Sequence, residues 1–178
     1  MKKPFMALTW LLLFSITAYC LGESINITGK IILTGNEPFT KIVLRQTEKS
    51  KRTFVLTGPL LNELENLQGA TVQLKGTITG IEPLTQAQLL EVKEYQLKFI
   101  GEGENQKKPW VGFLEIKEKQ IYLKTLKGNF YSLEGPTIPE LKKFPGAKVW
   151  LTGSLKKRWV FGKSTIIPDA YGIIKISL

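Results

Sequence analysis

The chain of 178 residues contains no histidine, one aspartate, Asp169, and one cysteine, Cys20. Without histidine it lacks the commonest general base and the commonest nitrogen ligand for metals, which excludes serine-histidine and cysteine-histidine catalysis. A single aspartate excludes the Asp-rich loop that calcium sites of the EF-hand type require. Glutamates could still pair for hydrolysis, as Glu91 with Glu94 or Glu115 with Glu118, but both pairs read as solvated strand faces or turn edges. A glycine-rich phosphate loop is also missing, because Gly101-Glu102-Gly103 is short and opens no helix. These absences point away from an enzyme, and no cofactor or metal is expected. With Cys20 alone, stability must come from packed cores rather than disulfides.

Long apolar runs are absent apart from one. Phe5 to Leu21 carries no charged side chain and follows Lys2 and Lys3, so residues 1–22 read as a signal peptide, with cleavage after the small Gly22. A retained membrane helix is the alternative, since the run approaches spanning length. Lipidation at Cys20 is a third reading, against which Tyr19 argues, because that processing pocket suits Gly, Ala or Ser. Cleavage is preferred over both, which implies a periplasmic or secreted protein with no membrane span after processing.

An internal repeat organises the remainder. At an offset of 77 residues Leu56-Thr57-Gly58-Pro59 falls on Leu133-Glu134-Gly135-Pro136, and Glu63-Leu64 falls on Glu140-Leu141. Gly69-Ala70 then matches Gly146-Ala147, Val72 matches Val149, Leu74 matches Leu151 and Gly76 matches Gly153, all without a gap. Such a register implies duplication.

Each unit follows one grammar. In the first, Ile27 to Leu33 and Lys41 to Thr47 are β-rich runs separated by Gly35, Asn36 and Pro38. Thr53 to Leu56 forms a third run, stopped by Gly58-Pro59. Leu60, Leu61, Leu64 and Leu67 recur at helical spacing, and Gly69 ends that helix. Val72, Leu74, Gly76 and Ile78 alternate with polar residues as a fourth strand, and Leu89 to Phe99 makes a fifth. The second unit repeats this with Trp110 to Ile116, Gln120 to Thr125, Asn129 to Leu133, a helix Pro139 to Phe144, Ala147 to Leu155, and a last strand Gly172 to Ser177. The predicted fold is therefore all-β: two tandem five-stranded OB-like barrels, each with a short helix between strands three and four. They span residues 23–100 and 110–178, and residues 101–109 form a polar linker that need not pack. An SH3-like barrel is the runner-up, disfavoured by the helix.

A signal peptide followed by Leu-x-Gly, a short helix and Gly-x-x-Val-x-Leu-x-Gly resembles the exported bacterial OB-fold proteins. The resemblance rests on Leu56 to Ile78 and Leu133 to Leu155, and it implies small periplasmic barrels that bind small molecules, ions or oligosaccharides. Fold alone does not name the ligand.

Charge is unevenly spread. Lys and Arg number 25 against 15 Asp and Glu, a net +10 that becomes +8 without the leader. Residues 101–178 hold fourteen basic and seven acidic side chains, or +7 of that excess. An anion-seeking surface therefore belongs to the second unit. Its loop between strands four and five begins Lys156-Lys157-Arg158-Trp159-Val160-Phe161, cations beside aromatic planes, the combination that holds anionic polymers. The corresponding first-unit stretch, Thr79 to Pro83, has no cation. Trp150 lies between the core positions Val149 and Leu151 and must point away from its own core. It either joins the ligand surface or, with Trp110, covers a seam between the barrels.

Trp110, Trp150, Lys156, Lys157, Arg158, Trp159 and Phe161 are thus the candidate ligand-binding residues. The expected function is an exported, non-catalytic binding module taking an anionic polysaccharide, a lipid head group or a protein partner. Nucleic acid fits the fold and the charge but ranks below these because of the leader. An envelope structural or assembly protein docking through outward tryptophans is the third reading.

Overall fold

Alternating apolar and polar residues become strands in the computed structural model, which describes residues 24–36, 39–47, 52–101, 105–156 and 164–176. The first barrel consists of β1 (Ser24–Thr34), β2 (Lys41–Gln46), β3 (Thr53–Thr57), α1 (Leu61–Glu65), β4 (Thr71–Ile81) and β5 (Gln88–Phe99). The second consists of β6 (Trp110–Lys117), β7 (Gln120–Thr125), β8 (Phe130–Leu133), α2 (Ile138–Leu141), β9 (Lys148–Lys156) and β10 (Thr165–Lys175). The leader, residues 1–22, lies outside the described residues, so the structure adds nothing about it.

Both sheets close. In the first, the order is β1-β2-β3-β5-β4 with β4 returning to β1; in the second, β6-β7-β8-β10-β9 with β9 returning to β6. Every pairing is antiparallel except β3 with β5 and β8 with β10. Closure leaves no free edge on either small sheet.

Correspondence between the barrels extends to single hydrogen bonds. The Ile31 N–H donates to the Ala70 carbonyl at 3.0 Å and Gly69 N–H donates to Ile31 at 2.9 Å; Leu114 with Ala147 and Gly146 with Leu114 repeat these bonds at the same distances. Gly29 and Gly112 sit where β1 and β6 cross closest to their neighbours, and a Cβ there would meet the Arg45 carbonyl at 2.5 Å or the Lys124 carbonyl at 2.3 Å. Only glycine fits such an approach. Inside, Ile31, Leu44, Leu74 and Leu90 fill the first core, and Leu114, Leu123, Leu151 and Ile166 fill the second. Leu64 and Leu141 enter these cores from α1 and α2, which explains how helices of five and four residues persist despite being too short to stand alone.

Three expectations need correction. The last strand begins at Thr165 rather than Gly172. Pro168 looks like a strand breaker, yet it occupies a register shift opposite Gly153, where a missing N–H costs no ladder bond. Helix α2 starts at Ile138 and is complete by Leu141, and turn hydrogen bonds carry the chain to Phe144. Within the stretch 101–109, Lys107 does pack: it pairs with the backbone of Ile100 in both directions, at 2.8 and 2.9 Å, and its ammonium bonds to Asp169.

The two barrels also share material. Ile174 of β10 is 1% exposed and belongs to the first barrel's core cluster, with Val111 and Trp150 packed against it. Burying one isoleucine in this way contributes about 2 kcal/mol. Asn66, just beyond α1, donates its side-chain amide to the Ile174 carbonyl at 3.1 Å. Beside it, Glu63 accepts from Lys148 at 2.7 Å and from the Tyr95 hydroxyl at 2.6 Å, while the Lys148 ammonium lies 4.7 Å from the centre of the Tyr95 ring. Burial alone would raise the Glu63 carboxyl pKa, but these two donors and the charges of Lys148 and Lys175 hold it below the ordinary value. The same burial and the neighbouring carboxylate push the Tyr95 hydroxyl up.

Candidate ligand-binding surface

Strands β6, β7 and β8 turn one set of residues to the core and the alternate set to solvent, so cross-strand pairs define rows on the outer face. One row runs Phe113, Lys124, Phe130; the next runs Glu115, Tyr122 and then Ser132, which is buried; a third pairs Lys117 with Gln120. Phe130 lies beside two cations, with Lys117 4.7 Å and Lys124 5.6 Å from its ring centre. Glu115 is clamped by the same lysines, at 2.8 Å from Lys117 and 3.3 Å from Lys124, and they hold its carboxyl below the ordinary pKa. The face is thus a basic surface with aromatic planes and one internal carboxylate that an incoming anion must displace.

Lys156 joins this surface. The row through Tyr122 and Ser132 continues to Thr165, whose hydroxyl is 2.7 Å from that of Ser132, and Thr165 pairs with Lys156. The connection that carries Lys157, Arg158, Trp159 and Phe161 therefore leaves β9 at the end of the row. Those four residues lie outside the described residues. Trp150 and Trp110 stand elsewhere: Trp150 is six positions from Lys156 along β9, or roughly 20 Å at about 3.3 Å per residue. Trp150 points away from its own core, as its neighbours Val149 and Leu151 require, and packs against the first barrel. Its indole covers Gly172 so closely that a Cβ there would lie 2.4 Å from the ring nitrogen. Trp110 packs on the second core and lines a cleft between the barrels. Of the seven candidates, Trp110 and Trp150 thus lie at the seam and Lys156 at the end of β9.

The first barrel treats the equivalent face differently. Ile32, Val43 and Val55 form an apolar row, and Val43 and Val55 are only 5% and 7% exposed although neither belongs to the core cluster. The loops flanking the row are tied together. Lys41, at the start of β2, meets Glu82, on the turn between β4 and β5, at 2.6 Å. The other oxygen of Glu82 accepts from the Thr85 N–H at 2.7 Å and the Thr85 hydroxyl at 2.6 Å. Lys41 and Thr85 together hold the Glu82 carboxyl pKa down to about 2.

Phe130, Lys117, Lys124 and Tyr122 were not singled out by the sequence. They lie on three strands and meet only through cross-strand register. The available signal was alternation, since Lys117, Gln120, Tyr122 and Lys124 occupy the outward positions of two strands whose core positions are plain. Among the described residues no group of three or more Cys, Asp or Glu is placed to hold a metal ion. No family model and no curated protein matches the chain.

Proposed function

We propose that the chain is a tandem pair of OB-type barrels that serves as an exported, non-catalytic binding protein, and that its second barrel takes an anionic polymer on the outer face of β6, β7 and β8. The strand order, with a parallel pairing between the third and fifth strands and a helix between the third and fourth, supports the OB reading. The observation that carries the function is the grouping of Phe130 with Lys117, Lys124 and Tyr122, at the face where barrels of this type grip extended ligands. Aromatic planes supply contact that salt does not screen, and the lysines supply attraction that it does. An acidic polysaccharide is the preferred polymer because the leader directs the chain away from nucleic acid.

The test is calorimetric titration of the chain from Glu23 onward with dextran sulfate, neutral dextran and a thymidine oligonucleotide. Binding to the sulfated polymer alone, weakening as salt rises, is expected. Lys117→Gln with Lys124→Gln should cost at least tenfold and flatten the salt dependence. Phe130→Ala should cost about 1–3 kcal/mol at every salt concentration. Glu115→Gln, which frees both lysines, should tighten binding. Equal affinity for neutral dextran would refute the reading, and tighter binding of the oligonucleotide would replace the polysaccharide with a nucleic acid.

A further inference from the structure

The seam between the barrels encloses a cleft of about 480 Å³, within the size range of small-molecule sites, roughly 300–1,000 Å³. One wall is β5 of the first barrel, with Tyr95 and Leu97; the floor is the start of β6, with Trp110; the far wall is the β7–β8 hairpin, with Leu126 and Tyr131. Trp110 and Tyr131 rest on the second core, whereas Leu97 belongs to the first. Leu126 stands at the lip, 65% exposed.

Among the described residues, the charge in the cleft has one sign: Lys108, Lys127 and Lys148 line it and no carboxylate does. Lys148 is satisfied by Glu63 and Tyr95, but Lys108 and Lys127 form no ion pair among the described residues. The cleft is also held open in advance. Lys107 fixes the floor strand through the Ile100 backbone and Asp169, and the hairpin is closed by the Thr125 N–H donating to the Asn129 carbonyl at 2.9 Å. Such preorganisation removes much of the ordering cost of binding. Gln96, Thr125 and Asn129 add neutral polar groups to the lining, but its unpaired charges are ammonium donors, which favour an anion.

We propose that this cleft binds a small aromatic anion, its ring lying against Trp110 and Tyr131 and its carboxylate, sulfonate or phosphate group meeting Lys108 and Lys127. The site goes beyond the polymer-binding reading, because the lysines and aromatics that define it are different from those of the outer face.

The experiment is an NMR titration of the chain from Glu23 onward, following the indole N–H of Trp110, whose resonance is assigned by its loss in Trp110→Phe. The probes are naphthalene-2-sulfonate and the neutral 2-naphthol. Saturable one-to-one movement of the Trp110 resonance is expected, with the sulfonate bound about tenfold tighter than the naphthol. Lys108→Gln with Lys127→Gln should bring the sulfonate down to the naphthol affinity and leave the naphthol unchanged. Lys117→Gln with Lys124→Gln should alter neither, so that failure here and failure of the polymer reading are told apart. An unmoved Trp110 resonance at millimolar probe, or sulfonate binding indifferent to loss of Lys108 and Lys127, would overturn the proposal.

Discussion

The first and second barrels share a strand order and differ in what they leave open. In the first, the loops beside the outer face are latched by Lys41 and Glu82, the face carries the apolar row of Ile32, Val43 and Val55 next to a row of Lys30, Arg45 and Thr53 with no aromatic, and the exposed tips are Phe39, Ile81 and Leu84. In the second, the corresponding face carries Lys117, Tyr122, Lys124 and Phe130, and the β6–β7 connection shrinks to the two residues Glu118 and Lys119. The strands set the shape in both cases. Loop length and outward side chains, which the core does not constrain, set what each barrel can hold.

The largest effect is expected where matching positions of the two barrels differ most. Glu63 and Glu140 occupy matching positions on α1 and α2, yet Glu63 is 12% exposed against Lys148 at 15%, whereas Glu140 pairs with Lys143 at the surface, 54% and 61% exposed. Lys148→Ala leaves the largely buried Glu63 carboxylate only the Tyr95 hydroxyl and the more distant Lys175, and should destabilise the protein by about 2–4 kcal/mol, a value set below the range for fully buried pairs because both groups retain some exposure. Glu140→Gln should change stability by less than about 0.5 kcal/mol. Urea denaturation of both variants checks the contrast. Acid should weaken the same contact. The Glu63 pKa is lowered in the folded chain, so its contribution is present above the unfolded carboxylate value, about 4.3, and is lost as pH falls through the folded value beneath it.

A somewhat smaller effect is expected at Gly172, which faces Trp150 where Gln96 faces Gln73 in the first barrel. A methyl group there would press on the Trp150 ring from 2.4 Å. Gly172→Ala should cost about 1–3 kcal/mol through overpacking and should shift the Trp150 fluorescence. If Gly172→Ala is neutral, Trp150 is not held at the seam.

The third effect is a gain. Glu118 and Lys119 both have positive φ, 49° and 68°, in a two-residue hairpin turn that favours Asn-Gly. Left-handed backbone costs an ordinary residue about 1–2 kcal/mol. Glu118→Asn with Lys119→Gly should therefore raise stability by roughly 1–2 kcal/mol, measurable as a higher denaturation midpoint. The longer connection in the first barrel, residues 35 to 40, offers no equivalent gain.

How far the sequence was legible follows from the range of each interaction. Alternation revealed the strands and the spacing of Leu60, Leu61, Leu64 and Leu67 revealed α1, because both are local patterns of burial. β10 was cut short at its start because Pro168 and Asp169 look like a turn until the register shift opposite Gly153 is known. The Glu63–Lys148 pair joins positions 85 apart, and nothing in the spacing of either residue announces it. The outer face shows the same limit. Lys156 to Phe161 drew attention as a contiguous run, whereas Lys117, Lys124 and Phe130 acquire meaning only when three strands pair.

The smallest expected change concerns the latch, and it tests the comparison directly. Lys41 and Thr85 lower the Glu82 pKa to about 2, so the latch contributes fully above the unfolded carboxylate value of about 4.3. It should therefore be indifferent to pH from 8 down to about 5 and should be lost as pH falls from about 4 to about 2. Carbon-detected NMR titration of the glutamate carboxyls should show Glu82 protonating at about pH 2. Glu82→Gln at neutral pH releases Lys41 and should speed amide exchange at Thr85 and Ala87. Affinity for a sulfated polymer should stay within about twofold of the parent, because one freed lysine beside the apolar row of Ile32, Val43 and Val55 provides charge without an aromatic plane. A tenfold gain would mean that the first barrel is a latched binding site in its own right, and the division of labour between the barrels would have to be redrawn.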